Sequence, residues 1–197
     1  MAKNRTIFDD ILDDARIAGI EGRSAKALTW FANKAKQFRG NRKRLFQDDT
    51  RLKQRQLPGV MYFFRYDAKT KNKLPYWDAF PMIFPLSAKS KSFLGINLHY
   101  LPPKLRALLL KKLESIATDK RFDEKTRLRI SYDILNSSSR FKEFRPTIKR
   151  YLKSHVRSPF VKVTANEWEI ALFLPVQQFQ KASDRKVWSD SRKMIRG

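Results

Sequence analysis

Between residues 57 and 103 the chain sets Pro58, Pro75, Pro81, Pro85, Pro102 and Pro103 among large aromatic residues. Proline has no backbone N–H and its ring clashes with the preceding helical turn, so no long helix can run through this stretch. The segment must instead be broken into short extended pieces, with prolines at strand ends and edges. Pro58 and Gly59 make a turn, and "VMYFFRY" (60–66) has the aromatic and β-branched composition of a strand. "DAKTKNK" (67–73) is a polar, cationic hairpin connection, "SAKSKS" (87–92) is the next turn, and "FLGINLHYL" (93–101) is the next strand. Gly95 inside that strand marks a bulge or a close backbone approach. The aromatics of "LPYWDAFPMIFPL" (74–86) are expected to face a core, with Pro75, Trp77 and Pro81 as fold determinants. A proline-rich ligand would need a polar, exposed context, which these prolines lack.

Helical periodicity appears on both sides of this block. Ile7, Ile11, Leu12 and Ala15 share one face of a short helix, and Ser24 caps a second with a stripe of Ala27, Leu28, Phe31 and Ala35, ending near Gly40. Pro102 and Pro103 start a helix carrying Leu105, Leu108, Leu109, Leu113 and Ile116. A further helix is expected from a cap at Asp123 through Leu135, and another from about Pro146 to His155. "FVKVTANEWEIALFLP" (160–175) reads as two strands separated by "TANE", "VQQFQKA" (176–182) as a short helix, and "SDRKVWSDSRKMIRG" (183–197) as a polar tail. Strands, then helices, then strands give an α+β fold. The expected form is a small antiparallel sheet or open SH3-like barrel with a helical insertion, preceded by N-terminal helices and a basic arm. The corresponding division is 1–56 for helices and arm, 57–182 for the core domain and 183–197 for the basic C-terminal tail.

Charge is the strongest functional signal. Forty-three Lys and Arg against 19 Asp and Glu leave a net +24, a self-repulsion best explained by a polyanionic partner. Three segments carry it: 34–55, 140–162 and the last fifteen residues. The nominated binding residues are Lys36, Arg39, Arg42, Lys43, Arg44 and Arg51 in the arm, with Lys149, Arg150, Lys153 and Arg157 further on. No zinc finger, basic zipper or helix-turn-helix is present, so contact should be with phosphates and should weaken steeply with salt.

Chemistry is harder to find. Cysteine is absent, which removes disulfides, thiolate catalysis and Cys-based zinc sites. There is no GxxxxGK, GxGxxG, HExxH or GxSxG. His99 and His155 are too few for a histidine-rich metal site, and His99 reads as a packing residue. Glu143, Glu167 and Glu169 are the remaining candidates for a Mg²⁺-dependent nuclease, but they lack a convergent lysine. No enzymatic activity, cofactor or metal is expected. The N-terminal stretch has no continuous apolar run, so neither a signal peptide nor a membrane span is expected.

The block "MYFFRYDAKTKNKLPYWDAFPMIFPL", followed by "FLGINLHYLPPKLRALLLKKL", "RISYDIL", "KRYLKSHVRS", "EWEIALFLP" and "VWSDSR", resembles the DNA end protector (head-completion) family of T4-like tailed phages. The resemblance runs from about residue 58 to residue 192 and is most distinctive from "LPYWDAFP" to "LHYLPPKLRA". It implies a structural virion protein that binds double-stranded DNA at the genome end near the portal or neck and shields it from exonuclease. It also implies other virion proteins as neighbours, and residence in the virion after assembly in the host cytoplasm. The alternative is a tail, baseplate or neck assembly subunit whose cations dock on acidic partner proteins without DNA contact.

Overall fold

The computed structural model describes residues 5–21, 24–38, 42–103, 105–108, 110, 133, 136 and 142–197. Most of the expected Pro102–Ile116 helix lies outside these residues, although the described positions between 103 and 110 are helical. The expected Asp123–Leu135 helix falls almost wholly outside them.

Two N-terminal helices form as their periodicity requires. Helix α1 (Ile7–Ile17) starts at a capping box in which Thr6 and Asp9 satisfy each other's backbone N–H, and it buries Ile7, Phe8, Ile11 and Ala15. Helix α2 (Ala25–Ala35) is capped by the Ser24 side chain, which accepts from the Ala27 N–H, and it buries Ala27 and Phe31.

The sheet has six antiparallel strands in the order β1-β7-β2-β4-β5-β6. They are β1 (Leu52–Lys53), β2 (Met61–Phe63), β4 (Met82–Ala88), β5 (Ser92–Asn97), β6 (Ile148–Leu152) and β7 (Phe160–Val163). A separate two-stranded ribbon pairs β3 (Trp77–Asp78) with β8 (Phe179–Gln180). The fold is therefore α+β around an antiparallel sheet, closed by strands distant in sequence.

Period-2 alternation sends the aromatics to both faces. Met61, Phe63, Met82, Phe84, Ile96, Val161 and Val163 pack with the helices in the larger core. Val60, Tyr62, Phe64, Ile83, Phe93, Tyr151 and Phe160 form a second core on the other face. The sheet curls over that second core. Tyr66, beyond β2, bridges to Val156, and the Arg157 N–H donates to the Arg65 carbonyl at 2.8 Å. Most of the proline-punctuated aromatics are thus core, as expected. Gly95 faces Pro85 where the β4–β5 register shifts; a Cβ there would lie 3.2 Å from Ile83 Cδ1 and 3.3 Å from the Phe84 carbonyl oxygen.

Four local expectations are corrected. Residues 148–152, expected to be helical, form strand β6 between 3₁₀ turns at Lys142–Thr147 and Lys153–His155, because β5 offers a free edge to pair with. "EWEIALFL", expected as a strand, forms helix α3 (Trp168–Phe173), where a Thr164–Glu167 capping box starts a helix buried on nearly all sides. "VQQFQKA", expected as a helix, is extended and supplies β8. Residues 183–197, expected as a polar tail, contain helix α4 (Asp184–Arg196), capped by Ser183 and anchored through buried Val187 and Ser191.

Candidate nucleic-acid interface

The arm cations and the β6 cations meet different fates. Arg42 donates to the carbonyls of Val176 and Gln177 at 2.6 and 2.9 Å, with its guanidinium over the Phe80 ring. Arg44 is hydrogen-bonded to Asp10, which Arg5 also contacts. Arg51 has a side chain only 10% exposed and lies between Glu167 at 2.6 Å, Asp48 at 3.0 Å and Asp9 at 3.9 Å. Burial alone would lower the Arg51 pKa, but Glu167 and Asp48 raise it. These three arginines fasten residues 42–51 to the body, and Leu45 beside them is buried. Lys36 is exposed and donates to Asn33, Lys43 is exposed, and Arg39 lies outside the described residues.

Strand β6 and the turn after it present the other nominated group. Arg150 and Lys153 are exposed and have no carboxylate partner among the described residues, while Arg157 is exposed with a long contact of 3.7 Å to Asp67. The Lys153 N–H donates to the Lys91 carbonyl, so the β4–β5 hairpin brings exposed Lys91 alongside. Lys153 also lines a cleft of about 500 Å³ with Arg55. Period-2 geometry turns Lys149 to the opposite face from Arg150, where its Nζ sits 4.1 Å from the centre of the Tyr100 ring. Burial pushes the Lys149 pKa down to about 8.

Along the edge of β6 lies a cavity of about 520 Å³. Its walls include Tyr66, Tyr76, Trp77, Tyr100 and Lys149, with Lys69 and Arg150 also lining it and Met194 contributed by α4. Beneath it is a buried polar hub. The Asp78 carboxylate accepts from the backbone N–H groups of Phe80 and Gln178, from Asn97 Nδ2 and, at 2.6 Å, from His99 Nδ1. Burial would raise the Asp78 pKa, but these donors hold it below the ordinary value, and burial keeps His99 neutral. The His99 carbonyl accepts from Trp188 Nε1 and from Arg106, whose fully buried guanidinium also donates to the Leu101 and Leu172 carbonyls. The hub joins β3, the end of β5, the segment leading into β8 and α4, and its side chains are buried, so it positions the cavity floor.

The family model for Phage T4 terminal DNA protecting protein matches residues 13–194. The chain belongs to this family. The match spans the C-terminal end of α1, all of α2, the whole sheet and α4 as far as residue 194. No curated protein and no solved structure matches the chain.

Sequence reasoning nominated four of the cations on and beyond β6. It missed Lys69, Lys91 and Arg55, which sit in turns and join the group only through hairpin closure and the curl of the sheet. It also assigned Tyr76 and Trp77 to a core, where the structure leaves both half buried, while Tyr100 is buried as expected. No group of His, Asp or Glu able to hold a metal occurs among the described residues, and none of their helices is long and apolar enough to cross a membrane.

Proposed function

We propose that this chain is a structural phage protein that binds the ends of packaged double-stranded DNA and shields them from exonuclease. The observation that carries this reading is the set of exposed cations on and around β6, of which only Arg157 has a carboxylate within reach among the described residues, in a member of a terminal DNA protecting family. Arg55, Lys69, Lys91, Arg150, Lys153 and Arg157 meet phosphates there, releasing condensed counterions and giving affinity without base reading. Arg42, Arg44 and Arg51 act instead inside the fold. On this reading the chain belongs to the virion near the portal or neck, contacts other virion proteins there, and catalyses nothing.

The test is protection of a linear duplex from a processive exonuclease by the purified protein, with affinity measured across a salt series. Five or six phosphate contacts give a slope of log affinity against log salt of roughly −5. Charge reversal at Arg150 and Lys153 together flattens that slope by about 2 and abolishes protection. A chain that leaves the duplex fully sensitive, or whose affinity ignores salt, is a protein-docking subunit instead.

A further inference from the structure

We infer that the cavity beside β6 is a socket for the terminal nucleotide of the DNA end, with the base against the half-buried rings of Tyr76 and Trp77 and its phosphate against Lys149. This inference rests on the end-protection reading above and deepens it, because phosphate contacts along a strip hold duplex anywhere and do not distinguish an end.

Three features of the cavity point to a nucleotide. Its volume of about 520 Å³ lies within the range of about 300–1,000 Å³ typical of sites for single small ligands. Its walls are aromatic: Tyr76 packs directly on the buried Tyr100 ring, with centres 6.1 Å apart and planes tilted by 35°, and the half-buried Tyr76 and Trp77 rings line the cavity with Tyr66. Aromatic faces accept any base by stacking, which suits a site that must take whatever nucleotide ends the genome. The third feature is Lys149. Among the described residues no carboxylate pairs with this half-buried ammonium, which lies over the Tyr100 ring. A charge withdrawn from water without a counterion is tolerated best where an anion arrives to complete it. Lys69 and Arg150 at the same cavity extend the positive field outward, toward Lys153 and the strip that holds the backbone.

The geometry also explains why an end would enter and the middle of a duplex would not. A base must leave its stack to reach the cavity, and that extrusion costs least where the pair is already frayed and has a neighbour on one side only. Arg150 and Lys149 point to opposite faces of β6, but β6 is the edge strand of the sheet and both residues line the cavity along that edge. A duplex on the strip therefore reaches the opening around the edge with its last nucleotide.

The experiment uses the full chain and a 30-base-pair duplex carrying 2-aminopurine either at the 5′-terminal position or at the centre. Binding is expected to change the fluorescence of the terminal probe saturably while leaving the central probe unchanged. Lys149→Gln and, separately, Tyr76→Leu are expected to weaken the terminal-probe response about tenfold, within what stacking and one phosphate contact contribute. Overall affinity for long duplex should fall no more than about threefold, since most phosphate contacts lie on the strip. Thermal melting of both variants checks that they are folded, and Lys149→Gln, which removes an unpaired buried charge, should fold at least as well as the parent. An equal response from both probes, or a terminal response untouched by either variant, overturns the socket while leaving end protection by the strip intact. Effective competition by free deoxyadenosine monophosphate at the concentration of duplex ends also overturns it, by making this a free-nucleotide site. Loss of all duplex binding in the parent protein would end both readings.

Discussion

Arg51 was nominated from its place in a basic run, and the structure gives it a different job that can be measured. Its guanidinium lies over the Phe8 ring of α1 and reaches Asp48 and Glu167, so one side chain joins the first helix, the turn before β1 and the turn before α3. The Asp48 and Glu167 side chains are each 3% exposed, and Arg51→Met would leave both carboxylates without their cation. Stripping one partner from a buried pair costs about 3–5 kcal/mol. Here Asp48 keeps bonds from the Thr50 N–H and hydroxyl, and Glu167 keeps one from the Thr164 N–H, which places the loss near the lower end, about 3 kcal/mol. For a chain of this size each kcal/mol moves the melting temperature by about 2–4 °C, so the expected drop is about 6–12 °C. Urea unfolding at neutral pH reads the free energy, and calorimetry reads the shift. Adding Glu167→Gln should recover part of the loss, because the two positions are coupled. Asp48 supplies a check on sign. Burial would raise its pKa, but Thr50 and Arg51 hold it below the ordinary carboxylate value. Its contribution is therefore complete above about pH 4 and is lost as the pH falls through the lower folded-state value, so parent and variant should converge in acid. Duplex affinity, measured well below either melting point, should change less than about twofold, because one distant cation contributes little at moderate salt. A stability loss under about 1 kcal/mol would refute the reasoning, since that is how solvent-screened pairs behave.

Lys149 gives the opposite pH signature. Its folded pKa of about 8 is below that of a free lysine, so the charged form opposes folding below pH 8 and that opposition fades as pH rises toward 10.5. Asp78, Lys69, Arg150 and the tyrosines at 66, 76, 100 and 151 face the same space, so the measurement is a difference: the stability advantage of Lys149→Met over the parent should shrink across that window in urea titrations. Gly95→Ala should cost about 1–2 kcal/mol by overpacking Ile83 and the Phe84 carbonyl, read by chemical denaturation with duplex binding retained. Asp78→Asn should cost about 3 kcal/mol or more, because one of its oxygens becomes a donor facing donors; a melting scan within 5 °C of the parent would contradict the hub, by the usual conversion of about 2–4 °C per kcal/mol. His99, kept neutral by burial, adds a stability loss as pH falls below about 6.5, where the unfolded chain takes up a proton that the fold refuses.

What the sequence made legible was local. The Ser24 cap, the stripe of α2 and the strand composition of residues 60–66 are written in neighbouring residues; the cap and the stripe formed as read, and the strand formed over residues 61–63. Where tertiary partners decide, the reading failed. Ile148, Tyr151 and Leu152 fit a helical spacing, yet β5 has an unpaired edge at that point and the segment pairs with it. Helix α3 is apolar on nearly every face, so its periodicity is silent and only the Thr164–Glu167 capping box betrays it. In α4 the buried stripe is thin, with Val187 and Ser191 inward, and so the helix resembled a solvated tail. The site shows the same division. Composition identified a cationic protein, but not which cations are spent on Asp10, Asp48 and Glu167 and which remain open along β6.

The place of β7 in the sheet fixes the timetable of folding. Residues 52–53 and 61–63 do not pair with each other; each pairs with residues 160–163, which emerge from the ribosome about a hundred positions later. Such long-range pairing closes slowly. Until those four residues arrive, the nascent chain carries the β2 edge uncovered on one side, open to chaperones, proteases and stray strands alike.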